Sequence, residues 1–247
     1  MATSTRPLTL TVIRNDEGSG PGRIPQWAQA AGASVDLRRA DESDQIPSDA
    51  TALDALVLLG GGFLPDADDQ HPWLPAERAL VSDCLAAGVP VLGICLGAQL
   101  LAHVGGGRVE GDHGLPEKGV TELTPQPAAA DDVLFQEFSG TTYGIESHRD
   151  QITRLPAGAH LLMSSARCRN QAFRLGAVAW ATQWHPESSA ARVATWDEDK
   201  LHDLGFDPAE VKRVAQEHAE DLENTWHAFF DRFLAVAHAR AAAHATP

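Results

Sequence analysis

Two short apolar runs separated by one helical segment restrict the fold of this chain more than any other feature. ALVLLGGG (residues 55–62) and VPVLGI (residues 89–94) lack polar alternation, which is typical of strands buried on both faces of a parallel sheet. WLPAERALVSDCLAAG (residues 73–88) lies between them and has helical periodicity. The order strand, helix, strand therefore predicts part of an α/β sheet.

The first forty residues repeat this order. LTLTVI (residues 8–13) and SVDLRR (residues 34–39) are predicted strands, and IPQWAQAAG (residues 24–32) between them has helical spacing and a terminal glycine. We therefore expect an α/β fold with a doubly wound, mostly parallel sheet flanked by helices. In such folds the functional groups lie at the carboxyl ends of the strands.

The middle of the chain, residues 105–181, is rich in turn residues and short β-like runs. VLFQEF (residues 133–138), AHLLMSS (residues 159–165) and QAFRL (residues 171–175) predict extra strands that decorate the main sheet. They lead into GAVAWATQW (residues 176–184), another apolar run.

A helical pattern resumes after residue 188, with Asp207 as a candidate N-cap and Pro208 at the first helical position. We expect one domain over residues 1–247, of which about 189–247 form a helical C-terminal extension. Helical spacing relates four aromatic residues of this extension, which we expect in the core rather than at an interface: Trp226, Phe229, Phe230 and Phe233.

Charge and cysteine usage exclude several classes of protein. The chain has 19 Lys and Arg against 34 Asp and Glu, a net charge of −15, which disfavours nucleic acid and anionic membrane surfaces as partners. The apolar stretch near the N-terminus is too short for a signal peptide or a membrane span, so we expect a cytoplasmic protein. Its three cysteines include no C-x-x-C pair, so neither a disulfide framework nor a thiolate zinc site is indicated.

Cys95 follows the second apolar run in GICLGAQ. Gly93 and Gly97 flank it and would allow a tight strand-to-helix turn, which exposes a thiol and aims backbone N–H groups at the same point. The helix N-terminus also favours the thiolate. Taken alone, the pattern is more often a small buried cysteine in a turn than a catalytic thiol.

A candidate base for this thiol occurs in QWHPES. His185 and Glu187 are two residues apart, so in an extended segment their side chains point the same way, and Pro186 restricts His185 to extended geometry. A thiolate nucleophile needs such a base and an orienting acid. The alternatives are a histidine that ends a strand beside an exposed glutamate, or a two-ligand metal site. Neither explains the proline, and no third ligand is evident.

Taken together, ALVLLGGG, PVLGICLGAQLLAHVGGG and ATQWHPES resemble the class I glutamine amidotransferases, whose fold is flavodoxin-like, over roughly residues 8–189. The resemblance implies a nucleophile at Cys95, a general acid/base at His185 and its orienting acid at Glu187. It also implies an oxyanion hole formed near Gly61 and Gly62 together with the backbone N–H of Leu96. It implies no metal and no cofactor.

Four further residues match family positions that hold the amino-acid end of the substrate: Gln99, Ser147, His148 and Asp150. His148 could also be a second base, but we favour a structural or substrate-positioning role. This sequence departs from the usual family pattern at two places that bear on substrate preference. Ala98 replaces a larger residue that many members carry, and Glu117, Lys118 and Gly119 stand where biosynthetic members have a Gly-Trp-rich loop.

The implied function is hydrolysis of the side-chain amide of glutamine through a γ-glutamyl thioester, with ammonia passed to a separate synthetase. No P-loop or S-G-G-x-D-S signature occurs in the chain. The first alternative is a γ-glutamyl peptidase that releases a useful amine from a γ-glutamyl amide. The second is a non-catalytic protein that binds a partner. The extension could also form a homodimer face or dock a synthetase.

Overall fold

The computed structural model describes residues 7–42 and 44–244, which form eleven strands and seven α-helices. The strands are β1 (Thr9–Arg14), β2 (Ser34–Arg39), β3 (Ala55–Leu58), β4 (Val91–Ile94), β5 (Arg108–Glu110), β6 (Glu117–Pro125), β7 (Thr142–His148), β8 (Gln151–Arg154), β9 (His160–Ser164), β10 (Ala172–Leu175) and β11 (Ala179–Thr182). The helices are α1 (Ile24–Ala30), α2 (Leu74–Ala87), α3 (Leu96–Val104), α4 (Ala190–Val193), α5 (Glu198–Asp203), α6 (Pro208–Glu217) and α7 (Ala219–His244).

Nine strands form one sheet in the order β2-β1-β3-β4-β11-β10-β9-β6-β7. The strands are parallel from β2 to β11, and the remaining pairs are antiparallel. The predicted α/β fold with its mostly parallel central sheet is confirmed. The strands of the middle region extend this sheet, and β5 pairs with β8 beside it.

The apolar runs form the strands for the reason that the sequence suggested. Every residue of β3, β4 and β11 is buried, because helices and the C-terminal extension cover both faces of the sheet. Helix α2 ends at Gly88, whose left-handed φ of 63° a residue with a side chain would adopt only at a cost. The chain then enters β4, which leads directly to Cys95.

The C-terminal extension packs into the core. The four aromatic residues expected there, Trp226, Phe229, Phe230 and Phe233, are all at most 2% exposed. Trp226 packs on Trp184, just after β11, with ring centroids 5.0 Å apart. Asp207 caps α6 by accepting from the N–H of Ala209, as expected. The helical pattern divides into α6 and α7 at His218.

The prediction of a strand at residues 133–138 is wrong. This segment is a turn, in which the N–H groups of Phe135 and Gln136 both donate to the carbonyl of Asp132. The Asp132 carboxylate accepts from the N–H of Leu134 and from the indole of Trp180. A buried aspartate therefore organises the apolar residues into a turn that packs on the core. Within the described ranges, no helix is long and apolar enough to cross a membrane.

Candidate active site

Cys95 occupies a strained turn between β4 and α3. Its φ of 54° and ψ of −105° lie in a region that residues with side chains rarely adopt, at a cost of about 1–3 kcal/mol. Added side chains would not fit on either side of it. A Cβ at Gly93 would lie 2.4 Å from the carbonyl oxygen of Gly97, and one at Gly97 would lie 2.3 Å from that of Leu58. The two glycines thus permit the close approach that holds the thiol at the end of the sheet.

His185 and Glu187 follow β11 and meet as their spacing indicated. The imidazole Nδ1 lies 2.8 Å from Glu187 Oε1. Burial alone would lower the pKa of His185, but the charge of Glu187, together with hydrogen bonding and charge from Cys95, raises this pKa well above the ordinary value. The arrangement therefore favours an imidazolium close to the Cys95 sulfur.

The start of helix α1 supports the segment that carries these two residues. The backbone N–H of Arg23 donates to the carbonyl of Glu187 over 3.0 Å, and its guanidinium donates to the carbonyl of Pro186 over 3.2 Å. Gly22 has φ of 51°, and a Cβ there would lie 2.2 Å from the Glu187 carbonyl oxygen. The backbone N–H of His185 donates to Ile145 of β7 over 2.8 Å. The histidine and the carboxylate are thus fixed from two sides.

Gln183 is a site residue that sequence reasoning missed. Its amide nitrogen lies 3.7 Å from Cys95 Sγ, and its amide oxygen accepts from Gln99 Nε2 over 3.4 Å. The same two-residue spacing that relates His185 to Glu187 also relates Gln183 to His185, so the signal was present in the sequence. Gln183 links the thiol to the side chain of Gln99 on helix α3.

The residues expected at the oxyanion hole lie beside the thiol. Gly61 and Gly62 line the same cleft as Cys95. Leu96 follows Cys95 at the start of α3, and its side chain packs under Gly61, where a Cβ would lie 2.6 Å from Leu96 Cδ2. The glycine turn and the first turn of α3 are therefore in direct contact.

The four residues expected to hold substrate all lie around this cleft. Their side chains differ in the hydrogen bonds and contacts that they already make within the protein. Gln99, Ser147, His148 and Asp150 all contribute to its lining. Gln99 Nε2 donates to the carbonyl of Asp150, the Asp150 carboxylate accepts from the N–H of Asp112, and Ser147 Oγ accepts from Lys118. The side chain of His148 is buried and lies against two carboxylates.

This buried histidine cluster consists of His148, Glu117, Glu146 and Cys168. His148 Nε2 lies 3.1 Å from a Glu117 oxygen and 3.2 Å from a Glu146 oxygen. Burial alone would lower the pKa of His148, but these two carboxylates raise it to about 10. Donor atoms of Glu117, His148 and Cys168 lie within 4.8 Å of one another, a grouping compatible with a metal ion. Burial raises the pKa of Cys168, so its thiol is neutral.

The cleft above Cys95 has a volume of about 810 Å³. Its floor comes from the ends of β4 and β11, and one wall comes from the C-terminal extension through Arg192, Trp196 and Lys200. Lys118 also reaches it from β6. A cleft of this size accommodates a small-molecule substrate.

The model of the family named glutamine amidotransferase class-I matches residues 22–196 of this chain. The chain belongs to this family. Among solved structures, a glutamine amidotransferase from Thermotoga maritima has a TM-score of 0.83 and 25% sequence identity, and the match covers 92% of this chain and 98% of the other. A glutamine amido transferase from Methylobacillus flagellatus has a TM-score of 0.80 and 26% identity, with coverage of 94% and 95%.

Curated relatives of this amidotransferase include proteins named as one subunit of a GMP synthase. One glutamine-hydrolyzing GMP synthase subunit, from Halobacterium salinarum, is 33% identical over 158 residues, which are 63% of this chain and 76% of the relative. The corresponding subunit from Thermoplasma acidophilum is 34% identical over 73% of this chain and 84% of its own length. The GMP synthase of Christiangramia forsetii is 32% identical, but the match spans only 33% of that protein.

Proposed function

We propose that this amidotransferase hydrolyses the side-chain amide of glutamine with Cys95 as nucleophile, His185 as general acid/base and Glu187 as the orienting acid. The observation that carries the proposal is the strained turn at Cys95, which holds a thiol beside an imidazole whose other nitrogen lies 2.8 Å from a carboxylate. A thiolate-imidazolium pair oriented by an acid is suited to acyl transfer.

The reaction has two steps. The Cys95 thiolate attacks the side-chain carbonyl, the carbon–nitrogen bond breaks, and His185 gives its proton to the departing ammonia. Water then attacks the γ-glutamyl thioester while His185 takes a proton from it, and the carbon–sulfur bond breaks to release glutamate. Because the Glu187 carboxylate lies 2.8 Å from Nδ1, it holds the imidazole in position for both transfers.

The backbone N–H groups of Leu96 and of the Gly61–Gly62 turn are proposed to stabilise the oxyanion formed in each step. The contact between Leu96 and Gly61 supports this role, because it holds the two groups of donors next to each other. Removal of one such donor typically costs about 100-fold to 1000-fold in rate. Gln183, which donates toward the Cys95 sulfur, is proposed to orient the thiolate.

We further propose that the released ammonia is used by a separate synthetase protein. The support is that two relatives, matched over 76% and 84% of their own lengths, are each named as one subunit of a GMP synthase. Helices α6 and α7, which lie beyond the residues that the family model matches, pack on the amidotransferase sheet.

Glutamate release from glutamine tests the proposal. Wild-type protein, by itself or with candidate synthetases, is expected to release glutamate, whereas Cys95→Ala is expected to lose at least about 10⁴-fold in kcat. Cys84→Ala is the matched control, because Cys84 is buried in α2 and is expected to retain activity per folded molecule. Equal activity of wild type and Cys95→Ala would overturn the assignment of the nucleophile.

A further inference from the structure

A buried carboxyl group of helix α2 takes no part in the proposed proton transfers. Glu77 is fully buried, and its Oε1 accepts a hydrogen bond from Asn15 Nδ2 over 3.1 Å. Among the residues that the structure describes, none donates a hydrogen bond to its other oxygen, Oε2. Burial raises the pKa of Glu77 to about 7, although the hydrogen bond from Asn15 and the charge of Arg78 lower it. Because a buried polar atom without a partner costs free energy, stability does not account for this carboxyl group.

Asn15 connects this carboxyl group to the end of strand β3. Asn15 is buried directly after β1, and its amide nitrogen donates both to Glu77 and, over 3.5 Å, to the carbonyl of Leu59. Its amide oxygen accepts from the indole N–H of Trp73 over 2.8 Å. Because an indole N–H can only donate and a carbonyl can only accept, these partners fix the orientation of the amide. Both N–H groups and the oxygen of Asn15 are therefore used.

These contacts reach the glycine turn from both of its ends. Leu59, whose carbonyl accepts from Asn15, immediately precedes the turn. Phe63 immediately follows the turn, and its ring lies edge-on to that of Trp73, with centroids 6.2 Å apart. The turn itself lies against the proposed base, because a Cβ at Gly60 would be 3.1 Å from His185 Cε1. The glycine turn is thus held between the Asn15 contacts and the reaction centre.

We propose that Glu77 is a positioning residue of the oxyanion hole, which acts through Asn15 to hold the Leu59 carbonyl and the N–H groups of the glycine turn in place. This inference rests on the proposed function, because the turn donates to an oxyanion only if Cys95 attacks a carbonyl. Neither Glu77 nor Asn15 lines the cleft, so neither touches the substrate. The oxyanion exists only in the transition state and the intermediate, so a displaced turn lowers kcat and leaves KM almost unchanged.

The experiment measures kcat and KM for glutamine in three variants of these contacts. Glu77→Met removes the acceptor but keeps the length of the side chain, and we expect it to lower kcat about 10-fold to 100-fold, with KM within about 3-fold of the wild type. Asn15→Leu is expected to show the same split between kcat and KM. Glu77→Gln keeps an oxygen that can accept from Asn15, so its kcat is expected to stay within about 3-fold of the wild type.

Asn170→Leu is the matched control for Asn15→Leu. Asn170 is also a buried asparagine whose amide donates to a backbone carbonyl, that of Ile152, over 2.7 Å, but it does not line the cleft. Its kcat is expected to equal that of the wild type. Thermal unfolding of each variant shows that the comparison is made on folded protein. An equal loss of kcat in Asn170→Leu and Asn15→Leu would indicate a general loosening of the fold and would overturn the proposal.

Two reagents distinguish an effect on the oxyanion hole from an effect on the thiol. Methyl methanethiosulfonate modifies a thiolate and has no carbonyl group, whereas the diazoketone analogue of glutamine places a carbonyl where the amide carbonyl of glutamine would lie. Glu77→Met is expected to slow inactivation by the diazoketone by about the same factor as kcat and to leave modification of Cys95 by the thiosulfonate within about 3-fold of the wild type. Equal slowing with both reagents would show that Glu77 acts on the thiol, and the proposal would fail.

The outcomes separate this inference from the proposed function. Turnover of glutamine by the wild type, with kcat unchanged in folded Glu77→Met, would overturn the inference alone. A loss of kcat in Glu77→Gln as large as that in Glu77→Met would show that the hydrogen bond to Asn15 is not what matters, and it would also overturn the inference alone. A wild type that releases no glutamate would overturn the proposed function and this inference with it.

Discussion

The protein contains two groups made of the same three residue types, and only one of them has the geometry of a reaction site. Cys95, His185 and Glu187 meet at the open end of the parallel sheet, in a cleft. The buried histidine cluster also has a cysteine, a histidine and carboxylates, but its side chains come from β6, β7 and the segment between β9 and β10, and all of them are buried. Residue types alone therefore do not make a site.

The difference between the two groups lies in backbone placement and in the number of carboxylates. Cys95 is held in a left-handed turn at a helix N-terminus, whereas Cys168 is a buried residue between β9 and β10, where burial raises the pKa of its thiol. His185 faces one carboxylate and one thiol, whereas His148 lies between two carboxylates. The first arrangement places its imidazole beside a thiol in the cleft, and the second places its imidazole between two buried carboxylates.

Substitution of one carboxylate in each group, Glu187 or Glu117, is expected to give the largest difference in kcat. Glu187→Gln is expected to lower kcat about 10⁴-fold, because the amide no longer favours the imidazolium or its orientation. Glu117→Gln is expected to lower kcat less than about 10-fold while destabilising the fold by about 3 kcal/mol, since it breaks a buried ion pair. Glutamate release and urea unfolding of both variants measure these effects. Equal kinetic losses would remove the distinction between the two groups.

Thiol reactivity gives the next largest contrast. Iodoacetamide at pH 7 is expected to alkylate Cys95 in the native protein at least about 1000-fold faster than Cys168 or Cys84. Burial raises the pKa of Cys84 to about 12 and also raises that of Cys168, so both thiols stay protonated. Peptide mass mapping over a time course reads out all three sites. Faster modification of Cys168 than of Cys95 would contradict the assignment of the reactive thiol.

The pH dependence of the free energy of unfolding tests the buried histidine cluster. The folded cluster holds its protons more tightly than the unfolded chain, because the pKa of His148 is raised to about 10 and burial raises the pKa of Glu146. The stabilisation from His148 is therefore complete below about pH 6.5 and is lost as the pH rises through about 10. His148→Gln is expected to cost about 3 kcal/mol at about pH 6 and progressively less toward about pH 10.

Urea unfolding of wild type and His148→Gln at several pH values measures this effect. His160→Gln is the matched control, because His160 is exposed on β9 and is expected to leave the pH dependence unchanged. A cost for His148→Gln that stays constant over this pH range would show that His148 does not hold its proton in the folded state.

The parts of the molecule that the sequence predicted well depend on local spacing. The buried strands β3 and β4 are continuous apolar runs, and the turn at Cys95 has a glycine two residues away on each side. His185 and Glu187 meet because alternate residues of an extended segment share a side. One domain over the whole chain stays a prediction, as do the roles of the individual site residues.

The parts that sequence reasoning missed depend on strand register and on contacts between distant segments. Glu117 reaches His148 because the two residues are opposite each other in the β6–β7 pair, and no local pattern specifies that register. Lys118 reaches Trp196 across a separation of many residues. The turn at residues 133–138 was missed because the Asp132 carboxylate that organises it finds Trp180 only in the folded chain.

Arg23 connects the far end of the chain to the reaction centre. Its guanidinium, which holds the carbonyl of Pro186, also forms an ion pair with Glu223 of α7, and the same glutamate accepts from the indole of Trp27. Helix α7 therefore supports, through Arg23, the loop that carries His185. A truncation or fusion that tilts α7 would change the alignment of His185 and Glu187 before it unfolds the sheet. The turnover rate would therefore respond to a displacement of α7 before spectroscopic measures of structure do.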